Sequence, residues 1–265
     1  MTIYAVGDIH GQSARLDRAL DMIEADGGPE ARIVFLGDYT DRGPDSRGVL
    51  DRLIAGRDAG RDWIFLKGNH DRMFLRFLEE GRENDHNIRS GLSWFNPRLG
   101  GVQTLGSYGM AASEGPAFLM DANGGLETLA SYGIGDRELT LHELAEEAAR
   151  TVPQAHQDFL ASLQLYHATE ELLFVHAGIR PGLPLERQVE DDLIWIRDGF
   201  LDDSSDHGRL VVHGHTVVPE PMHLGNRVAL DTGAGYGDPL TAAVFEGGDV
   251  WVLGSGGRVP LVPVG

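Results

Sequence analysis

The sequence predicts an α/β fold: two stacked sheets with helices outside them and chemically active loops at one end. Three observations carry this. Short apolar, β-prone runs alternate with helical patterns between Ile3 and Leu78. Those runs stop at blocks of Asp, His, Asn and Gly, and a second set of short runs returns after Leu172 with hairpin-like spacing. In open α/β folds ligands gather beyond the carboxyl ends of strands, so charged blocks at those ends mark a candidate site.

Residues 3–6 stop at Gly7-Asp8-Ile9-His10-Gly11, and the stretch after them sets Leu16, Ala19, Leu20 and Ile23 on one helical face. Residues 31–36 form a second strand ending at Gly37-Asp38-Tyr39-Thr40-Asp41-Arg42-Gly43. Pro44-Asp45-Ser46 then opens a helix whose apolar face is Val49, Leu50, Leu53 and Ile54. A third strand, 63–66, ends at Gly68-Asn69-His70-Asp71 and feeds a helix with Met73, Phe74, Phe77 and Leu78 inward. Such βαβ units imply parallel pairing with right-handed crossovers, which sets three strand ends side by side.

From about 79 to 169 the texture turns polar and glycine-rich, and this stretch is expected to be a mainly helical cap inserted into a single domain spanning 1–265. It holds a near-repeat: residues 100–110 and 124–134 share seven of eleven positions. The expected meaning is a pair of short packing helices, each closed by a C-terminal glycine. Helices are expected at 140–150 and at 153–163, the latter with Pro153 in its first turn. Strands return at 172–175, ending at His176-Ala177-Gly178, and at 210–212, ending at His213-Gly214-His215. Residues 228–230 lead into Asp231-Thr232-Gly233-Ala234, and strands at 241–245 and 250–253 are joined by the hairpin signal Glu246-Gly247-Gly248-Asp249. The C-terminal half is expected to be the more antiparallel one.

Composition narrows the function. With 41 acidic and 22 basic residues the net charge is -19, which argues against nucleic acid as a partner because phosphate neutralisation needs a basic face. The absence of cysteine excludes disulfides and thiolate metal sites. No run approaches the roughly 20 apolar residues of a membrane span, and residues 1–6 lack a signal-peptide pattern, so a soluble, cytoplasmic protein is expected.

The strand ends present Asp8, His10, Asp38, Asn69, His176 and His215, all oxygen or imidazole donors. A pair of divalent ions fits them, with one carboxylate such as Asp38 as bridge. Mixed O/N sets suit manganese, iron or zinc better than calcium. Two such ions about 3.5–4 Å apart lower the pKa of a shared water and neutralise a phosphoryl group under in-line attack. Arg42 then has a use as a bidentate fork on phosphate oxygens. A lone histidine is usually a hydrogen-bonded structural residue, but His10, His70, His176 and His215 each stand in a block with a carboxylate, glycine or amide. His213 could itself be a ligand but is expected to support His215 from behind, and Asp231 either supports the site or, at least as readily, caps the turn at 232–235. His86, His142, His156, His167, His207 and His223 are expected at the surface or in packing.

Asp8-x-His10-Gly11, Gly37-Asp38-x-x-Asp41-Arg42-Gly43, Gly68-Asn69-His70-Asp71, His176-Ala177-Gly178 and Gly214-His215, in this order, resemble the calcineurin-like metallophosphoesterases. More narrowly the chain is similar to the small bacterial form of the PPP-type serine/threonine protein phosphatases. The resemblance implies that Asp8, His10 and Asp38 hold a first metal, and Asp38, Asn69, His176 and His215 a second, with manganese preferred over iron or zinc. It implies that His70 protonates the leaving oxygen with Asp41 orienting it, and that Arg42, Arg197 and Asn69 bind the substrate phosphate. Attack by water activated between the metals then needs no phosphoenzyme. Two departures stand out: Asp71 and His213 occupy positions where the eukaryotic branch carries Glu and Arg. The expected activity is that of a phosphomonoesterase on phosphoserine or phosphothreonine, also phosphotyrosine, in a phosphoprotein, phosphopeptide or small phosphate ester. The alternative is a dinucleoside polyphosphate hydrolase acting on diadenosine tetraphosphate. Such enzymes tend to lack an acid at the position of Asp41, which tips the expectation toward the phosphatase.

Overall fold

The computed structural model describes residues 1–88, 91–110 and 141–264. The first sheet contains β1 (Thr2–Val6), β2 (Ile33–Phe35) and β3 (Trp63–Phe65), joined by α1 (Ser13–Gly27) and α2 (Ser46–Asp58), with α3 (Asn69–Glu80) following β3. These three strands pair in parallel. On the far side of β1 lie β9 (Ala242–Glu246), β10 (Asp249–Gly254) and β11 (Gly257–Pro260), all antiparallel to their neighbours. The second sheet has the order β4 (Tyr166–Ala168), β5 (Leu172–Val175), β6 (Leu210–His213), β8 (Arg227–Ala229) and β7 (Met222–His223).

Alternation along the strands decides which residues meet. Ile3 and Ala5 of β1, Val34 and Leu36, and Ala243 and Phe245 of β9 face the second sheet, where Phe174, Val212 and Val228 close the inter-sheet core. Tyr4, Val6, Ile33, Phe35, Ala242 and Val244 point the other way into the helical layer. The three apolar faces read from the sequence for α1, α2 and α3 are the buried faces of those helices.

The second sheet is less antiparallel than expected, because β5, β6 and β8 run parallel. The connection from β5 to β6 carries its own helix, α7 (Glu190–Trp195), and is long enough to cross over. The strands missed by sequence, β4, β7 and β11, are two to four residues long and rich in polar, Gly or Pro residues, so no period of two could register.

The described helices of the 79–169 stretch are α4 (Gly101–Ser107), α5 (Leu141–Thr151) and α6 (Gln154–Ala161). They extend the helical layer of the first sheet: Trp94, Phe95, Leu105, Ala148, Phe159 and Leu160 share its core. Residues 100–110 contain the expected short helix, with Gly109 left-handed after it (φ 78). The second copy of the near-repeat lies outside the described residues. Among the described residues no helix is long and apolar enough to cross a membrane.

Candidate active site

The loops that leave the carboxyl ends of β1, β2, β5 and β6, with the start of α3, converge at one end of the two sheets. Among the described residues, five that are not glycine have left-handed backbones: His10, Asp38, Asp41, Arg42 and His215, with φ between 48 and 74. All five were singled out from the sequence. Such a conformation costs of order 1–3 kcal/mol per residue and persists only where surrounding contacts over-determine it. Asp71 is one such determinant, since its buried carboxylate accepts the backbone N–H of Asp38 (2.8 Å), Tyr39 (2.9 Å) and Gly68 (2.9 Å). Burial, then the nearby Asp38 charge, push the Asp71 carboxyl up to about 8 against the pull of those donors. Gly214 permits another close approach, for a Cβ there would stand 2.0 Å from Asp8 Oδ1.

Each histidine is turned by its second ring nitrogen. His10 Nδ1 lies 2.9 Å from the Thr40 carbonyl and His176 Nδ1 2.8 Å from that of Leu36, so each donates there and leaves Nε2 facing Asp38 at 3.4 Å. His215 Nε2 is buried with no hydrogen-bond partner. Two donor groups result, His10–Asp38–His70 and Asp38–His176–His215, with ligand atoms within 4.8 Å of one another in each. Asp38 belongs to both. Asn69 Oδ1 sits 3.1 Å from His176 Nε2, beside the second group. An orphaned imidazole nitrogen, two inward-facing ones and a shared carboxylate fit a pair of divalent ions. The Asp8 carboxylate accepts the His215 N–H (3.0 Å), and His70 stands beside His10 and Asp38. Burial raises the Asp8 carboxyl, with Asp231 and Asp38 adding to it, and burial lowers His10 and His215.

His70 Nδ1 donates to Asp41 Oδ2 at 2.6 Å, and both side chains are fully enclosed. Burial lowers His70 to about 3, opposed by Asp38 and assisted by the charges of Arg42, His176 and Arg197. Burial lifts the Asp41 carboxyl to about 7 against hydrogen bonds from Thr104 and Trp94. The Arg42 guanidinium reaches both His10 Nε2 and His70 Nε2, the latter at 3.1 Å, and lies over the ring of Tyr236 at 4.6 Å. The charge of Arg197 also opposes protonation of His215.

His213 packs on Phe200 with ring centroids 5.2 Å apart and joins neither donor group; burial lowers it to about 4. Asp231 Oδ1 accepts the Gly233 N–H at 3.0 Å and caps that turn. Sequence reasoning missed Trp94 and Tyr236, which stand in no recognisable block, and read Thr104 only as part of the near-repeat. It recorded Asp71 only as a departure.

Comparison with known proteins agrees with this geometry. Residues 1–254 match the family model for calcineurin-like phosphoesterases. The asymmetrical bis(5'-nucleosyl)-tetraphosphatase of Bacillus subtilis is 26% identical over 265 residues, covering 91% of this chain and 89% of that protein. The symmetrical bis(5'-nucleosyl)-tetraphosphatase of Paracidovorax citrulli is 28% identical over 270 residues, covering 92% of each. A shorter stretch of 70 residues is 43% identical to a sequence named as a serine/threonine-protein phosphatase in Caenorhabditis elegans, covering 26% of this chain and 19% of that protein. With the family model spanning nearly all its length and the five strand-end blocks folded into one site, this chain belongs to the calcineurin-like phosphoesterase family.

Proposed function

We propose that this metallophosphoesterase hydrolyses dinucleoside polyphosphates, diadenosine tetraphosphate being the reference substrate. The similarity to two bis(5'-nucleosyl)-tetraphosphatases over nearly the whole chain carries the reading. The position of Tyr236 supports it: this ring is 61% exposed and stacked on Arg42, so a base has an aromatic face beside a phosphate-seeking cation.

In this reading Asp8, His10, Asp38, Asn69, His176 and His215 would hold two divalent ions, manganese first, Asp38 being common to both donor groups. When bound, the ions supply a water-derived nucleophile at neutral pH and neutralise phosphoryl charge. Arg42 and Arg197 hold phosphate oxygens and Asn69 adds an amide contact. His70 Nε2, which carries no proton while Arg42 donates to it, takes one up from solvent and gives it to the leaving oxygen, with the Asp41 carboxylate accepting Nδ1–H and balancing the imidazolium in between.

A second reading, a phosphoserine/phosphothreonine phosphatase, is favoured by the His70–Asp41 pair. An alkoxide leaving group needs a proton far more than a nucleotide phosphate does, and a built acid suits it. The manganese-loaded protein given diadenosine tetraphosphate and a phosphopeptide at equal concentration separates the two. Faster turnover of the dinucleotide is expected; a kcat/KM higher on the phosphopeptide replaces the first reading with the second, and no turnover of either removes both.

A further inference from the structure

Asp41 is grasped from outside its own loop. Its Oδ2 accepts His70 Nδ1–H (2.6 Å) and Trp94 Nε1–H (2.7 Å), and its Oδ1 accepts the Thr104 hydroxyl (2.6 Å). Asp41, Trp94 and Thr104 are all fully buried. The proton count closes. Thr104 Oγ1 gives its one hydrogen to Asp41 and accepts from Asp41 N–H (2.8 Å) and from Ser46 Oγ (3.1 Å), filling both lone pairs. Asp41 in its acceptor-only form satisfies every one of these donors.

The same segment presses on the backbone. Arg42 N donates to the Gly100 carbonyl at 3.4 Å, and a Cβ on Gly100 would stand 1.9 Å from Arg42 N. Residues 94–104 thus lie against two consecutive left-handed residues, Asp41 and Arg42. Trp94 shares Oδ2 with His70, so the indole fixes one oxygen of the carboxylate while Thr104 fixes the other. Together they set the carboxylate plane, and with it the line along which the imidazole points.

We infer that Thr104 and Trp94 are positioning residues for proton donation: through the two oxygens of Asp41 they hold His70 Nε2 toward the leaving oxygen. Neither touches substrate. This rests on the reading of His70 as the proton donor of a phosphohydrolase. It gives the first copy of the near-repeat a task beyond packing, because Gly100 and Thr104 both belong to it.

The test compares Thr104→Val, Trp94→Phe and the conservative Thr104→Ser in the manganese-loaded protein. Substrates are an alkyl phosphate, whose leaving oxygen needs a proton, and a nitrophenyl phosphate, whose leaving group does not. Thr104→Val and Trp94→Phe are expected to lower kcat on the alkyl ester by at least about tenfold and on the aryl ester by less than about threefold, with Thr104→Ser close to the parent on both. The downfield proton resonance of His70 Nδ1–H, read in the diamagnetic zinc-loaded protein and identified by its loss in His70→Asn, should shift or broaden in the first two variants and persist in Thr104→Ser. Equal losses on both esters, or no loss on either, with that resonance unmoved, overturn the inference. If the parent turns over neither ester nor diadenosine tetraphosphate, the phosphohydrolase reading fails, and the resonance alone decides the positioning. Should Thr104→Val not fold, Trp94→Phe against Thr104→Ser decides it.

Discussion

The site residues divide by what they stand next to. His70 is hydrogen-bonded to Asp41 yet lies within ligand distance of His10 and Asp38, so its role is decided by substitution. His70→Asn is expected to retain the metal content of the parent and to lose about 10²–10⁴ in kcat on an alkyl phosphate. Atomic absorption showing a lost ion would instead make His70 a ligand. Tyr236→Ala removes the exposed ring over Arg42 and is expected to raise KM for diadenosine tetraphosphate roughly fivefold, with little change for a small phosphate ester. Equal effects on both would show that the ring only packs the arginine. His213 governs a stability term. Its folded pKa is lowered to about 4 from 6.5, so the unfolded chain binds the extra proton between those values and stability falls as pH drops through that window. His213→Phe is expected to flatten the pH dependence of the urea midpoint between about 6.5 and 4, a change of order 3 kcal/mol across the window.

At the scale of elements, the strand–loop–helix units were legible because their chemistry is local. An apolar strand, a Gly-Asp or Asn-His block and an amphipathic helix all fall within one short window, and the faces of α1, α2 and α3 followed from spacing alone. What stayed illegible is contact between windows. Trp94 and Thr104 lie 53 and 63 positions from Asp41, and nothing in their neighbours marks them as its partners. Asp71 reads as an altered Glu until the three amides it gathers are seen. Another such contact ties α3 to α7: Arg72, 5% exposed, pairs with Asp85 at 2.9 Å and Asp191 at 2.6 Å. Arg72→Met leaves the enclosed Asp85 with Arg76 as its nearest cation and should lower unfolding free energy by about 3 kcal/mol in urea titration. A change within about 0.5 kcal/mol would mean that Arg76 compensates.

For the whole molecule, the buried imidazoles and carboxylates of both sheets belong to one donor set, so ions bound there stabilise the fold as well as the chemistry. Manganese at a hundred times its dissociation constant should raise unfolding free energy by about 2.7 kcal/mol per site, read as a higher Tm that a chelator reverses. The pairing of β1 with β9 has a different consequence, one of timing. Thr2 and Glu246 are neighbours across that ladder though 244 positions apart, so the middle of the sheet joins distant segments of chain. A ribosome adding about 5–20 residues per second leaves β1 without this partner for tens of seconds, its exposed edge open to other chains. A chain halted before β9 should therefore bind chaperones and aggregate, and release of the finished strand, not assembly of the active loops, should limit how fast the enzyme matures.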